Sequence, residues 1–177
     1  MLDQVLLSRA VAAAARLEIV ASLNKVLDSC FSKINNAVSK GKRHLELKYL
    51  TTIQDVSRYS EELAAAKEKD LRYRNTTCGP HRDDWRLLLN DIDVRAAASR
   101  GETRAIILAL KMAETEILRD CRHEAPVLLL DDVFAELDRH HSEALIDLID
   151  DTQVVITATN AEYIPKKIKT AAKIITL

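Results

Sequence analysis

The run Val127 to Asp138, VLLLDDVFAELD, constrains this 177-residue chain more than any other segment. Four apolar residues followed by two adjacent carboxylates read as a buried strand that delivers Asp131 and Asp132 to the crevice where α/β sheets hold ligands. Carboxylates there can hold Mg²⁺ and polarise a water beside a nucleotide. About one helix length upstream stands ASRGET, Ala98 to Thr103. A phosphate-cradling loop of the form G-x-x-x-x-G-K-[ST] is missing, because the glycines are Gly41, Gly79 and Gly101. The chain carries half a nucleotide site at most.

Around that run the pattern is α/β. Pro126 introduces VLLL, which predicts a parallel strand buried on both faces. A helix over about Arg139 to Ile149 leads to a second such strand, Gln153 to Thr159, and a final strand at about Lys173 to Leu177 would close the unit. Upstream, Ile106, Leu110, Ala113 and Ile117 mark a helix over Arg104 to Arg119. Trp85 to Val94 reads as a hairpin with Asn90-Asp91 at its turn.

The first seventy residues are helical in character. Leu2 to about Ser39 lacks proline and glycine, and Leu17, Val20, Leu23 or Asn24, Leu27, Phe31 and Ile34 form a stripe that needs a partner helix. After a turn at Gly41, His44 to Leu50 alternates like a half-buried strand. A second helix, Ile53 to Leu71, is expected to pair with the first, antiparallel, around that strand. The charged run Lys67 to Asp70 reads as solvated surface. The division this suggests is a helical lobe with short strands, 1–95, and an α/β portion, 96–177.

Composition narrows the function class only slightly. With 47% apolar residues the chain can bury a core, and 26 basic against 27 acidic residues leave no global field to attract nucleic acid or membrane. Cys30, Cys78 and Cys121 are odd in number and form no C-x-x-C pair, which points to free thiols in a reducing cytoplasm. The first eighteen residues are too charged for a spanning helix and lack the basic start of a secretion signal.

Each motif has two readings. Asp131 and Asp132 serve a metal and a reacting water, or they punctuate a core strand, with Asp132 or Asp138 capping the next helix. Ser99 to Glu102 is a capping box, or a helix N-terminus where Ser99, Gly101 and the charges of Arg100 and Arg104 receive a terminal phosphate. GPHRDD, Gly79 to Asp84, is a turn and polar loop, or a segment whose His81 and Arg82 contact phosphates or DNA. His140 and His141 have no third ligand at suitable spacing and read as exposed.

In order and spacing, GPHRDD, SRGE, VLLLDD and the ELD of Glu136 to Asp138 resemble the C-terminal portion of RecF, the bacterial DNA replication and repair ATPase family related to SMC and ABC-type ATPases. The resemblance implies a partial ATPase head: a helical second lobe and a βαβ Walker B segment, without the N-terminal Walker A lobe. It implies that Ser99, Arg100, Gly101 and Glu102 form the signature that meets, in trans, the phosphate held by an opposite subunit. Asp131 would help hold Mg²⁺, Asp132 would orient or activate the attacking water, and Asp138 would be the D-loop aspartate at the dimer interface.

The partners implied are ATP and Mg²⁺ in the completed site, DNA at junctions between duplex and single strand, RecO- and RecR-type mediators, and a second subunit in an ATP-dependent dimer. The processes implied are replication, recombinational repair and the SOS response. Glu102 stands where glutamine is more usual, adding negative charge near the phosphate position. Thr157 to Asn160 offers no switch histidine. Alone, such a chain should not hydrolyse ATP. The competing reading is a non-hydrolysing module that binds DNA or partners through a basic patch at Lys33, Lys40, Lys42, Arg43 and Lys48. A helicase-type lobe leaves SRGE and GPHRDD unexplained.

Overall fold

Asn24 and Asp28, on the long helix α1 (Leu2–Asn35), decide where the first strand lies. The Asn24 amide donates to the Leu47 carbonyl oxygen at 2.8 Å and accepts from the Leu47 N–H at 2.9 Å; Asp28 accepts from the Leu45 N–H at 2.9 Å. These side chains occupy backbone groups on one side of β1 (Leu45–Leu50) that would otherwise be an open sheet edge. The computed structural model describes residues 2–35, 43–52, 58–149 and 152–176. The expected extension of α1 to Ser39 and the turn at Gly41 lie outside these.

On its other side β1 pairs antiparallel with β2 (Asp84–Leu89), and β2 turns through Asn90-Asp91 into β3 (Ile92–Asp93). Both turn residues have positive φ, 50° and 65°, the geometry a two-residue hairpin needs and one that Asn and Asp tolerate. The expected hairpin forms as read.

The partner of α1 is not the helix that the sequence suggests. Helix α2 (Tyr59–Tyr73) touches α1 only briefly, whereas α1 packs along α4 (Arg100–Arg122), which follows the short α3 (Val94–Ala97). The reason is side-chain size and polarity. Within Tyr59–Tyr73, alanines and charges surround Leu63, while Leu71 and Tyr73 stay exposed. Helix α4 offers Ala105, Ala109 and Ala113 one turn apart, all buried, with Ile106 and Met112 beside them. A small-residue groove admits Leu27, Phe31 and Ile34 of α1, and each such side chain contributes roughly 1.5–3 kcal/mol by burial. Ile53 and Val56, expected on the α2 face, lie outside the described residues.

The second sheet has two parallel strands, β4 (Leu128–Asp131) and β5 (Val154–Thr157), joined through α5 (Val133–Glu136) and α6 (Arg139–Leu148). This is the expected βαβ unit, with one correction. Leu128 and Leu130 enter the core with Ile146, but Leu129 is 72% exposed and Val155 50%. VLLL is apolar on both sides of the pleat, while the described residues cover one side only. Residues 173–176 form no strand; α7 (Lys166–Ala171) precedes them, and Ile174 and Ile175 are exposed. Among the described residues no helix is long and apolar enough to cross a membrane.

Candidate nucleotide half-site

Ser99 begins α4 with a complete capping box. Its hydroxyl accepts from the Glu102 N–H at 3.3 Å, and its own N–H donates to Glu102 Oε2 at 2.8 Å. The amides of Arg100 and Gly101 follow at the positive end of the helix, where no intrahelical acceptor exists for them. Arg100 and Ser99 are exposed. A Cβ placed on Gly101 would meet only the His141 ring, at 4.0 Å, so packing inside the chain does not demand glycine there.

Arg104 ties this turn to the ELD segment. Arg104 donates through Nη1 to the Glu136 carbonyl oxygen at 2.5 Å and lies 3.7 Å from its carboxylate. His141, the ring nearest to where a Gly101 Cβ would lie, is 4% exposed rather than solvated as expected. The ring sits on the inner face of α6 because Asp138 satisfies it: Nδ1 lies 2.6 Å from Asp138 Oδ2. Asp138 also caps α6, accepting from the His141 N–H at 2.9 Å. His140 is exposed.

At the end of β4 the two carboxylates diverge. Asp131 shares the uncovered face with Leu129 and accepts a hydrogen bond from the Thr157 hydroxyl, its register partner on β5. Asp132 leaves the strand in the left-handed region, φ 47° and ψ 24°. Its side chain makes no cap to α5; it accepts from the Thr159 N–H at 3.2 Å and hydroxyl at 3.3 Å. Thr157 and Thr159 were not read as site residues from sequence. The available signal was the alternation in ITAT, which in a parallel pair places a hydroxyl beside each carboxylate.

These donors suit one cation class. Carboxylate oxygens are hard ligands, and no cluster of three metal-ligating side chains exists among the described residues. Asp131 or Asp132 could serve a hard divalent cation such as Mg²⁺, which keeps several waters and takes one or two carboxylates together with phosphate oxygens.

GPHRDD lies apart from these segments in its bonding. Asp83 accepts from the Tyr49 hydroxyl and from the Thr52 N–H at 2.9 Å and hydroxyl at 3.2 Å, with Arg16 at 4.0 Å. Arg16 also donates to the Pro80 carbonyl at 2.6 Å, and buried Gly79 adopts φ 124°. The loop is thus a staple between α1, β1 and β2. His81 and Arg82 are exposed on it, and Arg82 Nε donates to the Thr76 carbonyl at 2.8 Å. Of the expected basic patch, Lys33 and Lys48 are exposed and Arg43 is ion-paired with Glu102; Lys40 and Lys42 lie outside the described residues.

No protein-family model matches the chain. Curated proteins called DNA replication and repair protein RecF do. The one from Clostridium acetobutylicum is 37% identical over 140 residues, 77% of this chain and 39% of its own length. That of Clostridium perfringens strain SM101 is 37% identical over 152 residues, 83% and 41% of the two chains. Among solved structures, the recombination mediator protein RecF-ATP in the RecFOR pathway aligns with TM-score 0.73 at 27% identity, over 90% of this chain and 44% of that one. A second structure of the same pathway, the recombination mediator protein RecF-ATPrS, aligns with TM-score 0.69 at 29% identity, covering 87% and 43%. The chain spans about two fifths of the length of the curated relatives it matches.

Proposed function

The chain belongs with the RecF family, matching a part of it in keeping with the C-terminal portion, and we propose that it supplies the signature and Walker B half of a RecF-type ATPase. The reading places it in DNA replication, recombinational repair and the SOS response. ATP, Mg²⁺ and DNA are bound when a Walker A lobe completes the site.

The observation that carries this reading is the joint at the start of α4. Arg104, bonded to the Glu136 carbonyl and close to its carboxylate, ties the capped signature turn to the ELD segment. A ligand phosphate would meet the Ser99 hydroxyl and the Arg100 and Gly101 amides, with no Cβ at Gly101 to obstruct its approach. Asp138 borders the same joint as the D-loop residue. Asp131, on the open face, is the residue proposed to help hold Mg²⁺, which would supply charge neutralisation at the transferring phosphoryl group when bound. Asp132, turned away from the strand and steadied by Thr159, is the residue proposed to orient the attacking water. The uncovered Leu129 and Val155 offer the missing lobe an apolar seat.

A test mixes the chain with a Walker A lobe of a RecF relative and follows ATP-dependent association by light scattering, together with ATP hydrolysis. Association and turnover with the native sequence, and loss of ATP-dependent association in Ser99→Arg, are the expected results. An unimpaired Ser99→Arg dimer would leave Ser99 with its capping role alone.

A second reading, a non-hydrolysing DNA-binding module, draws on the end of α2, where exposed Arg72, Tyr73 and Arg74 lie beside the loop carrying His81 and Arg82. DNA binding that persists without a Walker A lobe and falls in Arg74→Glu would favour it.

A further inference from the structure

Glu102 makes two bonds at once. Oε2 completes the capping box on the Ser99 N–H, and Oε1 is ion-paired with Arg43, two residues before β1. The glutamate side chain is only 14% exposed. The intrahelical surface pairs Arg58–Glu61, Lys111–Glu114 and Arg139–Glu143 differ: each exposes more than half of both side chains, and pairs of that kind contribute little. Arg43–Glu102 instead joins residues far apart in sequence and fixes a carboxylate that already orients the Ser99 backbone.

The chemistry of the cap explains why a cation is needed. Glutamate and glutamine both complete a capping box, since either offers an oxygen to the N-cap amide. Only glutamate brings a charge, and it brings that charge to the helix end where an incoming anion must settle. We propose that Arg43 is a positioning residue for Ser99. It neutralises Glu102, so that the charged cap holds the serine without repelling a phosphate. The role rests on the reading of Ser99 as a phosphate contact. Arg43 is proposed to act through Glu102, not by contact with substrate or metal.

The proposal makes Arg43 and Glu102 conditionally dependent, which a merely structural bridge would not do. If Arg43 only tied β1 to α4, removing it would weaken the protein whatever stood at 102. If it neutralises a charge, the charge-free cap makes it dispensable. The experiment compares Arg43→Ala, Glu102→Gln and the double variant in the pair completed by a Walker A lobe, reading ATP-dependent association. Arg43→Ala should weaken association by about tenfold, and adding Glu102→Gln should restore it to within about threefold of the native pair. A double variant as weak as Arg43→Ala, or a single variant without effect, overturns the proposal.

A second readout uses this chain alone and so separates failure here from failure of the nucleotide reading. Amide exchange at Ser99 should speed up several-fold in Arg43→Ala, because the freed carboxylate leaves its N–H less often bonded, and should return toward native in Arg43→Lys. Unchanged exchange in Arg43→Ala, even where no ATP-dependent pair forms, would refute the positioning role.

Discussion

Nδ1 of His141 lies 2.6 Å from Oδ2 of Asp138, while the His141 N–H donates to Oδ1 of the same carboxylate at 2.9 Å. Burial acts to raise the Asp138 pKa, but the amide and ring of His141 outweigh it and hold the carboxyl below its ordinary 3.8. A carboxylate depressed by folding adds stability that is complete above the unfolded value and is lost as pH falls through the folded one. Unfolding midpoints below about pH 4 should therefore fall more steeply for the native sequence than for Asp138→Asn. Asparagine also caps well, so near neutrality the variant should lose at most about 1 kcal/mol, whereas Asp138→Ala loses about 0.5–2 kcal/mol more generally through the cap. Identical acid limbs in native and Asn proteins would contradict the depressed carboxyl.

Asp83 poses a different case, since its side chain is 1% exposed and serves the Tyr49 hydroxyl, both donors of Thr52 and the Arg16 guanidinium. Removing the acceptor strands those donors. Asp83→Ala should cost on the order of 3–5 kcal/mol by denaturant unfolding, while His81→Ala, two residues away and exposed, should stay within about 0.5 kcal/mol. Comparable losses in the two would mean that the loop is held by something other than the carboxylate.

The thiols should react in a fixed order. Cys121 is exposed, whereas Cys78 and Cys30 are buried. Burial, reinforced by Glu116, pushes the Cys30 thiol up to about 11. At pH 8 an alkylating reagent followed by mass spectrometry should modify Cys121 first, and Cys30 only at the rate of unfolding. Because the Cys30 pKa is raised from 9.0 on folding, its contribution to stability is complete below that value and is lost as pH rises through about 11. Native-state labelling of Cys30 at the rate of Cys121 would rule out this burial.

What could be read from sequence was what local chemistry encodes. Asn90-Asp91 specifies its turn because those residues tolerate positive φ, and Ser99 with Glu102 specifies a helix start. The choice of α4 over α2 as partner to α1 was hidden, because the α1 stripe demands an apolar surface without saying which one. Leu129 misled for a related reason: an apolar residue on a strand reports that a cover is wanted, and the cover belongs to other elements. His141 is buried through Asp138, and Thr159 reaches Asp132 only after β4 and β5 have set their register. Sites assembled across a parallel pair are invisible until the pairing is known.

Asp132 can be tested for chemistry apart from architecture because its backbone is unusual. At φ 47° and ψ 24° it occupies a region that costs most L-residues about 1–2 kcal/mol but that Asn and Asp adopt more readily and Gly freely. Its Oδ1 also accepts from Thr159. Stability should thus rank native and Asp132→Asn together, Asp132→Gly close behind, and Asp132→Ala lower by about 1–2 kcal/mol, measured by thermal unfolding of the chain. Turnover in the completed pair should ignore that ranking and vanish in all three, since none retains a carboxylate to orient the water. If activity instead tracks stability, with Asn active and Ala inactive, then Asp132 shapes the strand end and the water is oriented by another group.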